Sequence, residues 1–266
     1  MLILTCTTSA FCFSLQPLSA EAAHNQKGLI VLDARPQKGW QQGHLPGAFS
    51  FSWEDYTRTD DQGVKYRTLP AQELALALGR LGITEQSSLL IYGDADSSWG
   101  GEGWLAWALA WIGHQGPVYV LDGGIQAWQQ KGFSLTTETP AATAAVYQTQ
   151  PQPTVAIAAA DIERLGTDIN LVDTRSYFTE WLPSHLPGAI HINWEKFFSA
   201  PQRRPLSPQA CRALLEENGI DLNKPVVYYC TGGIRSGYAW MVHQLAGLPG
   251  AINFEGGTEE WAAHRR

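Results

Sequence analysis

Short apolar runs alternate with amphipathic segments along most of this chain. The clearest runs are rich in β-branched, aromatic and leucine side chains, a pattern typical of buried strands. These predicted strands are Leu89–Tyr92, Val118–Leu121, Val226–Tyr229 and Ala251–Phe254. Leu74 and Leu78 follow Pro70 at helical spacing, while Ser207 and Pro208 supply a cap and a first-turn proline for another helix. The alternation predicts an α/β fold in which mainly parallel sheets are flanked by helices.

The chain also repeats itself. Four blocks of the first half recur in the same order in the second half, with small changes in spacing. The matching pairs are Leu29–Arg35 with Ile169–Arg175, His44–Ala48 with His185–Ala189, Leu69–Gly93 with Leu206–Cys230, and Asp122–Trp128 with Glu255–Trp261. An ordered set of this kind indicates a duplicated structural unit. We therefore predict two tandem domains.

The repeat sets the expected domain boundaries at 13–133 and 154–266, joined by 134–153. The first matching block extends back without a gap to about Phe13, which assigns the residues from there onward to a strand and a helix. The joining segment is rich in Thr, Ala, Gln and Pro and has few charges, which predicts an extended linker rather than a packed element. Residues 1–12 are apolar but lack the basic start of an export signal. We expect a cytoplasmic protein, with export by an atypical or truncated signal as the alternative.

The net charge and the cysteine content argue against several classes of function. The net charge of −7 argues against a nucleic-acid or anionic-membrane binder, because those partners attract basic surfaces. No segment is long and apolar enough to span a bilayer, and no Cys/His cluster has metal-ligand spacing. Three of the four cysteines, Cys6, Cys12 and Cys211, are expected to be small core side chains.

The fourth cysteine carries the most specific signal. Cys230 directly follows the predicted strand Val226–Tyr229 and begins a glycine-rich loop that ends at Arg235. Successive backbone N–H groups in such a loop turn toward one point and favour a thiolate, the nucleophilic form of cysteine. Cys230 is therefore the predicted nucleophile. The residues expected to bind substrate around it are Thr231, Gly232, Gly233, Ile234, Arg235 and Ser236. For Arg235 two roles remain open: binding an anionic donor, or holding the loop through its carbonyls.

Together these blocks resemble the rhodanese superfamily in its tandem form. The resemblance rests on Asp173-x-Arg175, on Glu180-Trp181 followed by His185–Ala189, on the loop that begins at Cys230, and on Glu255–Trp261. It implies two rhodanese-like domains, one catalytic and one inactive, in a sulfurtransferase. The repeat agrees, because it aligns Gly93 with Cys230 and leaves the first copy without a nucleophile.

The resemblance implies double displacement at Cys230. The cysteine takes a sulfane sulfur from a small anionic donor such as thiosulfate, and a thiol or cyanide then removes it. No cofactor is needed, because the sulfur travels on the cysteine. Thiosulfate-preferring members carry basic residues in the loop and after the Asp-x-Arg motif, whereas here the loop interior is Thr-Gly-Gly-Ile and Thr179-Glu180 occupies the second position. The donor therefore stays open between thiosulfate, 3-mercaptopyruvate and a persulfide, and a persulfide carrier that serves a partner protein is an alternative function.

A cysteine-dependent phosphatase is the nearest enzymatic rival. Such enzymes place five residues between cysteine and arginine, whereas the segment Thr231–Ile234 supplies four. A phosphate group is larger than a sulfur atom and needs the longer loop, so the spacing favours sulfur transfer.

Other conspicuous residues are expected to be structural. The His and Asp-x-Arg residues of both copies recur where no nucleophile exists, which favours roles in turns and in a stabilising ion pair: His44, His185, Asp33, Arg35, Asp173 and Arg175. Three tryptophan pairs are expected in the cores: Trp40 with Trp181, Trp53 with Trp194, and Trp128 with Trp261. Trp104, Trp107 and Trp111 are expected to pack in a core or between domains. The acidic loop Gly93–Glu102 is expected to be solvated, and the first domain to form one wall of the active site.

Overall fold

The structure is a computed structural model that describes residues 13–95 and 97–266. Cys6, Cys12 and Asp96, on which some expectations rest, lie outside these ranges. The strands of the first half are β1 (Leu15–Leu18), β2 (Ile30–Asp33), β3 (Ala48–Ser50), β4 (Thr57–Arg58), β5 (Arg67–Thr68), β6 (Leu89–Tyr92) and β7 (Val118–Leu121). Its helices are α1 (Ala20–Asn25), α2 (Gln37–Gln42), α3 (Ala71–Arg80), α4 (Gly101–Trp111) and α5 (Gly124–Gln130), with a 3₁₀ turn at Trp53–Asp55. The described part of the first half thus alternates strands and helices as the sequence predicts.

Five of these strands form one parallel sheet in the order β1-β7-β6-β2-β3. Strands β4 and β5 form a separate antiparallel hairpin. Both central strands, β6 and β7, are four-residue apolar runs, and all four residues of β6 are buried. A parallel sheet covered on both faces explains why these runs are continuous instead of alternating.

The second half repeats this plan. Its elements are helix α6 (Ala159–Leu165), strands β8 (Asn170–Asp173), β9 (Ile190–His191), β10 (Phe198–Ser199) and β11 (Arg204–Pro205), helix α7 (Pro208–Glu217), strand β12 (Val226–Tyr229), helix α8 (Ile234–Leu245), strand β13 (Ala251–Phe254) and helix α9 (Gly257–His264). Its 3₁₀ segments are Pro153–Val155, Gly166–Asp168 and Trp194–Phe197, and a π-helical turn covers Tyr177–Trp181. The parallel sheet has the order β13-β12-β8-β9. Where the first copy has β1, the second has a single parallel bridge between Ala156 and Asn253.

All four strands predicted from the apolar runs are present with the expected bounds. The helix caps are confirmed as well, because the Ser207 side chain accepts a hydrogen bond from the Ala210 N–H at the start of α7. Cys211 is fully buried on this helix, and burial raises the pKa of its thiol to about 12. Cys211 is therefore an unreactive core residue, as expected.

The Asp-x-Arg motif is a buried ion pair in both domains. Arg175 Nη2 lies 2.7 Å from Asp173 Oδ2 and also donates to the Ser184 carbonyl at 2.6 Å. Arg35 and Asp33 repeat the arrangement at 2.6 Å. These pairs join the end of a central strand to the turn that follows, which confirms their structural role.

The histidines of the two turns have the same structural character. The ring of His44 stacks on Trp40 with 4.3 Å between centroids, and its Nδ1 lies 2.8 Å from the Trp40 carbonyl oxygen. His185 stacks on Trp181 at 4.3 Å and lies 3.0 Å from the Trp181 carbonyl oxygen. The expectation that both histidines hold turns is confirmed.

The two domains meet where α4 crosses α8. A Cβ atom built on Gly103 would lie 2.2 Å from the Tyr238 Cα, so the two helix backbones nearly touch. Trp104 and Trp107 are buried beside this crossing, and Trp107 Nε1 donates to the Val155 carbonyl of the second half at 2.9 Å. The interface is therefore an apolar, closely packed one, as the tryptophan spacing predicted.

The segment 134–153 is irregular, but the expectation that it is not packed is wrong. The Ala145 N–H donates to the Gly79 carbonyl at 2.8 Å, and the Gln150 N–H donates to the Ile112 carbonyl at 2.9 Å. Tyr147 is buried, with its hydroxyl 3.1 Å from Nδ1 of His114. The segment therefore lies along the first domain and covers the ends of α3 and α4.

The place that corresponds to Cys230 in the first copy is filled by a carboxyl group. A Cβ atom built on Gly93 would lie 2.0 Å from Glu102 Oε2, and Glu102 is only 6% exposed. The expectation that this acidic loop is simply solvated is therefore wrong for Glu102. Burial raises the pKa of Glu102 to about 7, and the Ser98 hydroxyl donates to it at 3.3 Å.

We expect the substitution Glu102→Gln to remove part of the pH dependence of stability. The folded-state pKa of Glu102 is raised from 4.5 to about 7, so its contribution is complete below pH 4.5 and is lost as the pH rises through 7. The free energy of unfolding should fall between pH 5 and pH 8 by about 1–2 kcal/mol more in the wild type than in the variant. Urea unfolding at both pH values measures this. Glu73→Gln, at an exposed position, is the control, and an equal pH dependence in Glu102→Gln and the wild type would contradict the expectation.

Candidate active site

The candidate site lies where β12 ends. Cys230 follows Tyr229 directly, and α8 begins at Ile234 after a turn whose last residue, Gly233, has φ 84°. Cys230 is 2% exposed and lines a cavity of about 390 Å³ between the two domains. The carboxyl ends of parallel strands and the N terminus of a helix meet here, which is where α/β sheets commonly bind their ligands.

The structure brings most of the predicted site residues to this cavity. Those that line it are Cys230, Thr231, Gly232, Ile234 and Arg235. Ser236 lies behind the cysteine, where its hydroxyl is 3.7 Å from Cys230 Sγ and 2.7 Å from Asn253 Oδ1. Asn253 Nδ2 in turn donates to the Gly233 carbonyl at 3.1 Å. Ser236 and Gly233 therefore support the loop from behind, and Asn253 is a supporting residue that the sequence did not point to.

Both loop glycines are required by close packing. A Cβ atom on Gly232 would lie 2.4 Å from the Tyr66 Cβ of the first domain. One on Gly233 would lie 2.6 Å from the Glu255 carbonyl oxygen, and its positive φ disfavours other residues as well. The loop is thus pressed between a first-domain side chain and the backbone at Glu255, which fixes its shape.

Arg235 has a role that neither sequence-based interpretation foresaw. Its Nη1 and Nη2 lie 2.6 Å and 2.7 Å from the two carboxylate oxygens of Glu180, on the π-helical turn. Arg235 Nη2 also donates to the Thr231 hydroxyl oxygen at 2.9 Å, and Thr231 donates to Glu180 Oε1 at 3.1 Å. The guanidinium therefore binds Glu180 and Thr231, and its charge also interacts with Cys230.

The pKa of Glu180 reflects this pairing. Partial burial raises it, but the hydrogen bonds and the charge of Arg235 outweigh burial and hold the pKa at about 2. Glu180 is therefore ionised throughout the physiological range, and the ion pair persists there.

The first domain forms the other wall of the cavity, as expected. Trp53, Tyr66 and Trp99 all line it. Trp53 was expected to be a core residue; it is partly buried and packs against the core, but it also faces the cavity, and its Nε1 donates to the Ser98 carbonyl at 3.1 Å. Tyr66 and Trp99 were not predicted at all, because nothing in the hydrophobic pattern marks them.

Ion pairs made by Arg67 link the β4–β5 hairpin, which carries Tyr66, to the second domain. Arg67 Nη1 lies 2.8 Å from Glu255 Oε2 and 2.6 Å from Glu260 Oε2, and the Thr68 N–H donates to Glu255 Oε1. Burial raises the pKa of Glu255, and the charge of Arg67 opposes that shift. These contacts of Arg67 and Thr68 therefore hold Tyr66 against Gly232.

We expect Arg67→Ala to lower both stability and activity moderately. The buried Glu255 carboxylate would lose its partner, which should reduce the free energy of unfolding by about 1–2 kcal/mol. Tyr66 would lose its support, so the rate of the enzyme should fall about three- to tenfold. Urea unfolding and steady-state kinetics measure the two effects. Arg58→Ala, which removes the exposed pair with Glu73, is the matched control, and equal effects of the two variants would refute this role for Arg67.

The part of the chain that the structure describes holds no cluster of three or more His, Cys, Asp or Glu side chains arranged to bind a metal. No helix in those same ranges is long and apolar enough to cross a membrane.

The structure thus defines a class of two-domain α/β proteins in which a loop that begins with a cysteine, in the second copy, faces a cavity also lined by the first copy. The model of the rhodanese-like domain family matches this chain twice, over 17–131 and 154–264. The chain belongs to the rhodanese family and contains two of its domains.

Its relatives are sulfurtransferases and a sulfur carrier. Sulfur carrier protein TtuD of Thermus thermophilus is 31% identical over 84% of this chain and 83% of its own length. A probable 3-mercaptopyruvate sulfurtransferase of Pseudomonas aeruginosa is 30% identical over 97% of both chains. Thiosulfate sulfurtransferase of Azotobacter vinelandii is 28% identical over 94% of both. The chain is accordingly a sulfurtransferase of the rhodanese type.

Solved structures agree on the fold. EanB in complex with ergothioneine superimposes with a TM-score of 0.81 at 23% identity and covers 93% of this chain, which in turn covers 68% of EanB. SseA from Escherichia coli, described as a 3-mercaptopyruvate sulfotransferase, gives 0.80 at 18% identity and 92% and 99% coverage. At these identities the likeness supports the two-domain architecture alone.

Proposed function

We propose that Cys230 carries a sulfur atom as a persulfide between a donor and an acceptor. The Cys230 thiolate attacks the outer sulfur of a donor such as thiosulfate, the S–S bond of the donor breaks, and sulfite leaves with the bonding electron pair. A thiol or cyanide then attacks the outer sulfur of Cys230–S–S⁻. The new S–S bond of the acceptor, or the S–C bond of thiocyanate, forms as the Cys230 thiolate is released.

The observation that carries this proposal is the pairing of Arg235 with Glu180. An enzyme that hydrolyses phosphate needs the loop arginine to bind the phosphate oxygens. Here both carboxylate oxygens of Glu180 occupy that guanidinium at 2.6 Å and 2.7 Å. A sulfur atom on Cys230 needs only space and the loop amides, so the geometry supports sulfur transfer over phosphate hydrolysis.

The test is to follow the protein by mass spectrometry after treatment with thiosulfate or 3-mercaptopyruvate. We expect one added sulfur atom, and its removal by cyanide with formation of thiocyanate. In parallel, sulfite release from thiosulfate is compared with phosphate release from an aryl phosphate. Phosphate release without any sulfur addition would overturn the proposal.

The name of the Thermus relative supports a second candidate for the acceptor. That relative is called a sulfur carrier protein, so the acceptor in this case can be a protein thiol that takes the persulfide from Cys230. Incubation of the sulfur-loaded protein with a candidate acceptor protein, followed by mass spectrometry of both, distinguishes transfer from simple loss of sulfur.

We also propose that the reaction takes place in the cytoplasm. Cys211 and Cys230 are both free in the structure, and a nucleophilic thiol is retained most readily in a reducing compartment. Subcellular fractionation of the source cells tests this location. Recovery of the protein in the exported fraction would contradict it.

A further inference from the structure

The ionised side chains that line the cavity offer little net positive charge to an anionic ligand. Among the described residues that line it, Arg235 and Glu180 are the permanently ionised side chains, and they neutralise each other. With Cys230 as a thiolate, these three side chains carry a net charge of −1, which Arg235 shares between Glu180 and the sulfur. A second anion close to the thiolate is therefore repelled, and more strongly than it would be in bulk water. The N terminus of α8 offsets only about half a charge.

The remaining wall is aromatic. The rings of Trp53 and Tyr66 lie 6.1 Å apart at 69°, and Trp99 is 53% exposed at the cavity. The Arg235 guanidinium already lies 5.7 Å from the Trp99 ring centroid, so this ring contacts a cation in the structure. Aromatic faces attract cationic nitrogen, and more strongly when the site is partly shielded from water.

Two of these aromatic residues have strained backbone conformations. Tyr66 and Trp99 have φ of 62° and 54°, a region that bulky residues rarely adopt. Such conformations persist where the surrounding structure enforces them, and they are concentrated at functional sites. For Tyr66 the enforcing contacts are visible: the Arg67 ion pairs on one side and Gly232 on the other.

Resting on the sulfurtransferase function above, we propose that the sulfur acceptor at this site is a small thiol that carries a positively charged nitrogen. The cation lies against the aromatic wall of Trp53, Tyr66 and Trp99, and the thiol reaches Cys230. The acceptor sulfur attacks the outer sulfur of Cys230–S–S⁻ and forms a new S–S bond as the bond to Cys230 breaks. The Cys230 thiolate is released, and the proton of the acceptor thiol passes to the newly formed persulfide.

Three thiols that differ in charge test this directly. Cys230 is loaded with sulfur from sodium tetrasulfide and desalted, and loss of the persulfide is timed with cysteamine, 2-mercaptoethanol or 3-mercaptopropionate at equal thiolate concentration. We expect the cationic thiol to react about tenfold faster than the neutral one, and the anionic thiol to be slowest. Equal rates for the three thiols would overturn the proposal. Failure of Cys230 to take up any sulfur would instead overturn the sulfurtransferase function.

Two variants test whether the side chains of the cavity cause the preference for the cationic thiol. Trp99→Leu should slow the reaction with cysteamine about fivefold more than it slows the reaction with 2-mercaptoethanol. Glu180→Gln should leave the Arg235 charge unbalanced and reverse the order in favour of 3-mercaptopropionate. Leu76→Ala, at an exposed position on α3, is the control. An equal slowing of all three thiols by Trp99→Leu would show that the ring only supports the fold and would refute the proposal, and the ranking in the wild-type protein stands independently of how either variant folds.

Discussion

Replacing Cys230 with serine is expected to abolish sulfur transfer, with a loss of at least about 10³-fold in kcat/KM. A serine hydroxyl is far less acidic than a thiol, and its oxygen cannot carry a labile sulfur. The side chains are nearly equal in size, so the buried site, with Cys230 2% exposed, should keep its shape. Steady-state formation of thiocyanate from thiosulfate and cyanide measures the loss, and the sulfur adduct should be absent from the mass spectrum.

Cys211→Ala is the matched control for that experiment. Cys211 is also buried, but it belongs to helix α7, and burial raises the pKa of its thiol to about 12. We expect Cys211→Ala to keep both the adduct and the turnover and to lose about 1 kcal/mol of stability from the small cavity. A sulfur adduct that persists in Cys230→Ser, or that disappears in Cys211→Ala, would show that the nucleophile has been assigned to the wrong residue.

Gly103→Ala is expected to be among the most destabilising single-methyl changes in the described part of the protein. The new Cβ atom would lie 2.2 Å from the Cα and 2.5 Å from the backbone nitrogen of Tyr238, and neither atom can move without shifting α8. Such overpacking against backbone should cost about 3 kcal/mol or more. Because α8 begins in the loop after Cys230, its displacement should also reduce activity.

Urea unfolding together with kinetics measures both effects of Gly103→Ala. Gly39→Ala is the control, because its Cβ atom would meet its nearest neighbour, in Arg35, at 3.7 Å, an ordinary contact. Within a helix, alanine is favoured over glycine by about 1 kcal/mol, so this control should be neutral or slightly stabilising. If the two variants are equally stable, the close approach of α4 and α8 does not exist in solution.

Sequence patterns were sufficient for everything that depends on local spacing. The strand Val226–Tyr229, the cap at Ser207 and the burial of Cys211 all follow from which side chains are apolar and how they are spaced. The duplication added what a single copy could not show, because the alignment of Gly93 with Cys230 separates the domain with the predicted nucleophile from the one without it.

The features that the sequence could not supply are contacts between distant parts of the chain. Glu180 and Arg235 are 55 positions apart, and the Thr68 N–H is 187 positions from Glu255. Nothing local indicates that Arg235 is already paired, or that Tyr66 presses on Gly232. The packing of the segment 134–153 was missed for the same reason, because polar, irregular sequence carries no periodicity even when its backbone bonds to helix ends.

The carboxyl group beside Gly93 has a consequence for any attempt to engineer a nucleophile into the first domain. A cysteine at Gly93 would place its Cβ atom 2.0 Å from Glu102 Oε2, so the Glu102 side chain would have to leave this space. A nucleophile in the first domain therefore depends on Glu102 as well as on position 93. The first copy instead supplies Trp53, Tyr66 and Trp99 to the wall of the cavity that Cys230 faces.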